Sequence, residues 1–519
     1  MKHLKKIMSL ILTAIMVIAM CVPVMADNAN GYTITAPANG HTYEVYQIFT
    51  GTLTTEGTDD VLSNIKWGKN GTGAEGTDVS ETILNELKAK KNATDSEKLE
   101  VIKKYVDLTD ANNKYGSVTS ENPLNNVPAG YYLIKDVDGS QTGKEDSSYT
   151  TYLVSVVGSV EITPKADTPS SEKKVKDVND SNGTPVTDWQ DSADYDIGDH
   201  VPFQLKGTVA SNYDSYKKYK FVFHDKESAG LTFEPGTVKV YVNGINITSG
   251  FTTETNPTDG DTFDVVFDDL KTILDPNDTK GNTKLVGSGS VITVEYTSIL
   301  NDNAVVGSAG NPNTMHLEYS NNPNDAQGGE TGKTPDDTVI VFTYKTIVNK
   351  VKEDGRTPLA GAEFKLEKFV ADSNGETTYK NIHGNWVTKT LKSTDNKVFT
   401  ATGLDDGYYR LTETKAPEHY NILKEAIYFE ITATHDILSD SPSLTDFNGS
   451  DISTGETAKY IFTATKTEGS ISTSVINKKG STLPETGGIG TTIFYVVGVV
   501  LMLGAGVLLI TKRRMSAKH

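Results

Sequence analysis

Gly407-Tyr408-Tyr409-Arg410-Leu411-Thr412-Glu413 reads as a β-strand. Side chains two apart share a strand face, so Tyr409, Leu411 and Glu413 line one side and Arg410 and Thr412 the other. A carboxyl therefore stands in an apolar row. The same style runs outward along the chain. Gly130-Tyr131-Tyr132-Leu133-Ile134 is a weak internal copy, and aligning the two puts Asp136 near the Glu413 position. Between them, alternating runs at Val201 to Val209, Tyr219 to Asp225, Val238 to Val242, Val291 to Tyr296 and Met315 to Tyr319 are separated by Asn, Asp, Gly and Pro clusters. Such spacing predicts a mainly β chain of tandem immunoglobulin-like β-sandwich domains, here expected at 27–168, 169–343 and 344–480. The first begins and ends on strands, Tyr43 to Phe49 and Tyr152 to Ile162. These flank a helical insertion in which Thr94 and Glu97 have capping-box spacing and Leu99, Ile102 and Val106 share a face. No Gly or Pro interrupts Thr338 to Glu353, so the second domain is expected to run almost directly into the third through a stiff junction.

With 519 residues, 36% hydrophobic and 23% charged, the chain can bury several cores. Its net charge is −19, and the middle is more acidic still, because Lys2, Lys5, Lys6, Lys512, Arg513, Arg514 and Lys518 lie in end segments without acids. That balance argues against nucleic acid as a partner. The basic start, the apolar run Ile7 to Met20 and Val24-Met25-Ala26 predict a signal peptide, 1–26. Met20 before Cys21 argues against a lipid anchor. Cys21 is the only cysteine, so cleavage after Ala26 leaves no disulfide, thiolate metal site or cysteine nucleophile.

At the other end, Leu483-Pro484-Glu485-Thr486-Gly487 precedes an uncharged 18-residue run, Ile493 to Ile510, and then Lys512-Arg513-Arg514. The run predicts a transmembrane helix over 493–510 with a cytoplasmic basic tail, 511–519. Motif, span and basic stop in this order resemble the sorting signal of sortase substrates on Gram-positive cell walls. The resemblance implies that a sortase cysteine attacks the Thr486 carbonyl, releases Gly487 onward and hands the acyl group to an amine. In that reaction the chain is substrate.

Period-two geometry puts Lys350 on the face of Val348, and Asn477 on the face of Val475. Lysine, Glu413 and asparagine are thus each aligned with residues expected in a core. Period alone leaves a plain buried Lys350–Glu413 ion pair open. A reactive reading also exists, because desolvation lowers a lysine pKa and raises a carboxyl pKa, so neutral amine and protonated acid can coexist. The amine could then attack the Asn477 side-chain carbonyl, with Glu413 shuttling protons, to leave a Lys–Asn isopeptide bond and ammonia.

Asn349-Lys350-Val351, Leu359-Ala360-Gly361-Ala362-Glu363-Phe364 and Tyr409 to Pro417 with Tyr420 resemble the collagen-adhesin B-type domain of Gram-positive pilins. The resemblance covers most of 344–478 and implies a Lys350–Asn477 bond with Glu413 as its catalyst. His419 stands where that family usually has a glycine. The second domain looks like the other isopeptide-forming pilin sandwich, in which aspartate replaces glutamate. This implies Lys173, Asp225 and Asn313, with Lys174 and Asn311 as alternatives. The first domain has no lysine between Gly31 and Thr50, so a third bond of the same design lacks its nucleophile.

Val160-Glu161-Ile162-Thr163-Pro164-Lys165 closes the first domain and resembles the pilin motif whose lysine receives the threonine acyl group of the next subunit. Pro164 ends the strand and should leave Lys165 at the boundary, with Lys173, Lys174 and Lys176 as competitors. Asp177 to Gly183 lacks the ligand spacing of a calcium loop, and the nine histidines show no paired metal spacing, so no metal or cofactor is expected. The expected function is a major pilus subunit rather than a turnover enzyme. Its partners are then other copies of itself, a pilin sortase and a housekeeping sortase, peptidoglycan, and minor pilins or host surface ligands. The alternative is a monomeric wall-anchored adhesin with Lys165 inert.

Overall fold

The computed structural model describes residues 31–56, 59–90, 93, 95–150, 153–156, 160–164, 166–181, 187–371, 385–453, 460–480 and 489–516. The expected leader, Thr94, Lys165 and the motif 483–487 lie outside these residues.

Three pairs of sheets follow one another along the chain. In the third pair, one sheet orders Val398–Leu404, Tyr344–Val351, Ser470–Ile476 and Thr463–Thr465. The other orders Asn385–Lys389, Glu363–Val370, Gly407–Lys415, Ile427–His435 and Leu444–Asp451. Gly407–Lys415 buries Tyr409, Leu411 and Glu413, as its alternation requires. They pack in a core that includes Val348, Leu366, Phe429 and Val475. The strands Tyr344–Val351 and Ser470–Ile476 are parallel neighbours with Lys350 opposite Val475.

In the second pair, Phe221–Glu227 lies between Asn311–Ser320 and Phe263–Phe267. The facing sheet places His200–Thr208 between Ser170–Val175 and Val291–Leu300. Large side chains from both sheets, among them Phe203, Phe221, Phe223, Phe263 and Tyr296, fill the space between.

The first pair joins a three-stranded sheet (Leu124–Val127, Tyr32–Thr35, Val160–Glu161) to a five-stranded one containing Tyr43–Glu56 and Gly130–Asp136. Two helices, Glu81–Ala89 and Asp95–Ile102, form the insertion, and Leu99, Ile102 and Val106 pack with Phe49 and Trp67. The described parts of the expected strand Tyr152 to Ile162 fall in two sheets. Leu153–Val156 pairs with Gly130–Asp136, whereas Val160–Glu161 joins Tyr32–Thr35 in the other sheet. One continuous apolar alternation thus serves two sheets in turn, which periodicity alone does not distinguish.

The internal copies agree in detail. The Tyr132 hydroxyl donates to the Pro128 carbonyl and the Tyr409 hydroxyl to the Asp405 carbonyl, each at 2.7 Å and four residues upstream. This is the geometry of a tyrosine corner.

Both junctions are bonded. Only Thr343 separates Asp337–Phe342 from Tyr344–Val351. Across that boundary the fully buried Lys368 amine lies 2.8 Å from Asp196 and 2.7 Å from Asp405. At the first junction the Tyr149 amide donates to the Asn321 carbonyl at 2.7 Å, and the Asn321 side chain donates to the Gln141 carbonyl at 2.8 Å. The helix Ile489–Ser516 is long and apolar enough over Thr492–Ser516 to cross a membrane.

Candidate functional site

In the second sandwich, Lys173 comes from one sheet, and Asp225 and Asn313 from the other. All three are fully buried. The alternation that brings Val175 inward carries Lys173 with it. Register sets Asp225 opposite Met315 and Glu227 opposite Asn313. The Lys173 amine donates to Asp225 Oδ2 and, at 3.0 Å, to the Tyr296 hydroxyl. That hydroxyl donates to Asp225 Oδ2 at 2.9 Å and accepts from Asn313 Nδ2, also at 2.9 Å. Burial pushes the Lys173 pKa down and the Asp225 pKa up. Both shifts favour a neutral pair over an ion pair.

Asp225 Oδ1 and Asn313 Oδ1 are buried without a hydrogen-bond partner. A carboxylate and an amide carbonyl are both acceptors and cannot satisfy each other, but a proton on the carboxyl turns it into a donor.

The competing residues are engaged elsewhere. Lys174 points out of the core to Asp191, with Glu172 at 3.5 Å. Lys176 lies over the Trp189 ring, 4.7 Å from its centroid. Asn311 donates to the Val305 and Val341 carbonyls, both at 3.1 Å, and accepts from the Val305 amide at 2.8 Å.

The third sandwich repeats the composition with different contacts. Lys350 is fully buried and its amine donates to the Val475 carbonyl at 2.9 Å, two residues before Asn477. Burial lowers the Lys350 pKa to about 8 against the opposing pull of Glu413. Asn477 Nδ2 donates to Glu413 Oε2 at 2.7 Å and to the Asn421 carbonyl at 2.6 Å. The Leu423 amide donates to the same Glu413 oxygen at 2.9 Å. Again the orphans are one carboxylate oxygen, Glu413 Oε1, and the amide oxygen, Asn477 Oδ1.

His419 has φ of 70°, in the left-handed region where glycine is unstrained. Its carbonyl accepts from the Gly480 amide at 2.9 Å. The departure from the family's glycine therefore falls in the turn that carries the Asn421 carbonyl to Asn477.

In the first sandwich, Asp136 Oδ1 lies 2.8 Å from His41 Nδ1, and Oδ2 accepts from the Thr150 amide at 2.7 Å. At the position of the third domain's glutamate the acid is present, and an imidazole rather than an amine faces it. Lys165 itself is outside the described residues, but its neighbours are placed. Ile162 is buried with its amide 2.8 Å from the Thr35 carbonyl, and Asp167 accepts from the Ser211 amide at 2.7 Å.

Sequence reasoning missed Tyr296 and Glu227. Tyr296 stands in the core row Ile292, Val294, Tyr296, Ser298 and Leu300, where a hydroxyl needs a partner. Glu227 continues the inward row of Phe221, Phe223 and Asp225; burial raises its pKa to about 7, and Ser298 donates to it. Both signals were present in the alternation.

Residues 345–441 match the SpaA prealbumin-like fold domain, and residues 476–516 match the LPXTG cell wall anchor motif. The trypsin-resistant surface T6 protein of Streptococcus pyogenes serotype M6 is 27% identical over 441 residues, which cover 73% of this chain and 74% of that protein. Among solved structures, the T6 backbone pilin of serotype M6 Streptococcus pyogenes is 17% identical with a TM-score of 0.49, covering 87% of this chain and 98% of its own. The full-length major pilin SpaD from Corynebacterium diphtheriae is 16% identical with a TM-score of 0.43, covering 88% and 99%. With a pilin-type domain, a wall-anchor sequence and this related surface protein, the chain is similar to the wall-anchored major pilins of Gram-positive bacteria.

Proposed function

We propose that the chain is the repeating subunit of a covalent shaft, joined through Thr486 of one copy to Lys165 of the next, with two sandwiches locked by Lys173–Asn313 and Lys350–Asn477 bonds. Three domains are inferred, at 27–168, 169–343 and 344–480. The observation that carries the reading is the recurrence, in two sandwiches, of a buried amine, acid and asparagine with the same two orphan oxygens. In each, the neutral amine attacks the asparagine Cγ. The Nζ–Cγ bond forms, the Cγ–Nδ2 bond breaks, and the carboxyl passes a proton from the attacking nitrogen to the departing ammonia. A pilin sortase then acylates itself with Thr486 and transfers the chain to Lys165, and a housekeeping sortase joins the finished polymer to peptidoglycan. The chain is substrate in both steps. Wall extracts boiled in detergent should show a ladder of multimers; a single monomer band would leave only a wall-anchored adhesin.

Tyr296 should position the amine and the amide in the second sandwich. Tyr296→Phe removes the hydroxyl shared by Lys173, Asp225 and Asn313 and leaves buried groups unpaired, at about 1–3 kcal/mol. Ammonia loss after synthesis should slow by about 10- to 100-fold. A time course of intact mass at the wild-type rate would remove Tyr296 from the reaction.

Reaction in the third sandwich should follow pH. A lysine held at about 8 is mostly protonated below that value, and only the neutral form attacks. The rate in freshly synthesised chain should rise about tenfold per pH unit from roughly pH 6 to 8 and then level. Quenched-flow mass measurement reads it, and a flat profile would contradict attack by the titrating Lys350 amine.

A further inference from the structure

The strand that turns Asp225 inward turns its neighbour outward. His224 pairs with Asp264 on one side and His316 on the other, so three side chains form a row across the outer face of the second sandwich. The preceding loop folds Asp259 and Asp261 over that row. His224 Nδ1 lies 3.0 Å from Asp264 Oδ1, 3.4 Å from Asp259 Oδ2 and 3.4 Å from Asp261 Oδ2. The four ligand atoms are all within 4.8 Å of one another.

Three carboxylates converging on one nitrogen repel each other unless a cation lies between them. A proton on Nδ1 is the simplest cation, yet it can point at only one oxygen. Neither His224 Nδ1 nor Asp264 Oδ1 has a hydrogen-bond partner, although the Asp264 side chain is only 6% exposed. The buried carboxylate oxygen faces the nitrogen at ion-pair distance but without hydrogen-bond geometry.

The separations suit a metal better. Donors about 2.0–2.1 Å from a tetrahedral ion stand about 3.3–3.4 Å apart. The other ring nitrogen, His224 Nε2, is 3.3 Å from Glu318 Oε2, which is held by Lys220 at 3.0 Å. Without a metal the surrounding acids favour a protonated His224 ring; with a metal on Nδ1 in place of that proton, the Nε2–H can donate to Glu318, the usual support of a metal-bound histidine. The histidine favours a zinc-type ion over calcium, which takes oxygen ligands.

We propose that His224, Asp259, Asp261 and Asp264 bind one zinc-type divalent cation that ties the 259–264 segment to the strand carrying Asp225. Four protein ligands close the coordination shell, so the role is structural. The segment already touches the backbone of that strand: the Thr262 amide donates to the Asp225 carbonyl at 2.7 Å, and the Glu227 amide donates to the Thr262 hydroxyl at 2.9 Å. The ion would pin the backbone on either side of the cross-linking acid. Spacing along the chain could not reveal the site, because strand pairing brings its histidine and acids together.

The test uses the full chain in detergent, stripped with chelator and titrated with Zn²⁺ alone by calorimetry. Wild type should bind one equivalent more than His224→Gln or the double variant Asp259→Asn/Asp261→Asn. The latter alters a surface loop and should fold normally by circular dichroism. Glu318→Gln should retain the site with affinity about 10- to 100-fold weaker. Titration with Co²⁺ should give the intense visible bands of a tetrahedral ion in wild type and not in the double variant. Equal stoichiometry and affinity in wild type and double variant would overturn the proposal. So would an absence of binding in wild type with ¹⁵N shifts showing His224 as an imidazolium. The acids around His435, including Asp177 and Asp194, are untouched in these variants and control for binding elsewhere.

Discussion

Lys165→Arg abolishes the high-mass ladder and leaves monomer on the wall: this is the expected result in cells that carry the assembling sortase. On the proposed reading, polymerisation needs an electrophile at Thr486 and an amine at Lys165, whereas wall attachment needs only Thr486. Arginine keeps the charge but is not a nucleophile at physiological pH. An ordinary lysine is mostly protonated near neutrality, so the sortase site must remove the proton, and position should matter more than intrinsic reactivity. Position is what the flanking residues supply, with Ile162 anchored in the first sandwich and Asp167 bound to Ser211 of the second. Thr486→Ala should lose both ladder and wall attachment. A ladder persisting in Lys165→Arg, with its junction mapped to Lys173, Lys174 or Lys176, would reassign the acceptor.

Lys350→Ala should convert the third sandwich from inextensible to extensible. Lys350 sits on the first strand of that sandwich, and Asn477 directly follows the last, its parallel neighbour. With the bond in place, force entering at Tyr344 passes through Lys350 to Asn477 and bypasses residues 351–476. Without it, those residues unravel to roughly 400 Å at ~3.4 Å per residue. By analogy with disulfide loops, the cross-link also restricts the unfolded chain by about 5 kcal/mol, so Tm of this sandwich should fall by roughly 15 °C. Trypsin should cut the variant and spare the wild type. Single-molecule pulling with equal extension in both would show that the bond carries no load. In the second sandwich the shielded stretch would be 174–312, leaving 314–343 in the load path.

Much of this architecture was legible because strand alternation is strict where two sheets face each other. Lys173, Lys350, Asp225, Glu413, Asn313 and Asn477 could each be placed inward from an apolar neighbour two residues away. Alternation says nothing about which sheet a strand joins, and so Tyr152 to Ile162 read as one strand. Nor does it say which strands are neighbours. Tyr296 therefore passed as core, although its hydroxyl is the common hydrogen-bond partner of Lys173, Asp225 and Asn313. The Asn421 carbonyl and Leu423 amide that hold Asn477 and Glu413 are backbone groups, invisible in side-chain patterns. The Lys368 cluster with Asp196 and Asp405 arises only from the docking of two domains.

The intact mass of the mature extracellular chain tests the central claim most directly. Two Lys–Asn bonds formed on folding should make the wild type lighter than its sequence by two ammonia molecules. Asp225→Ala and Glu413→Ala should each restore one of them, and the double variant both. A wild-type mass equal to the sequence mass would contradict the account.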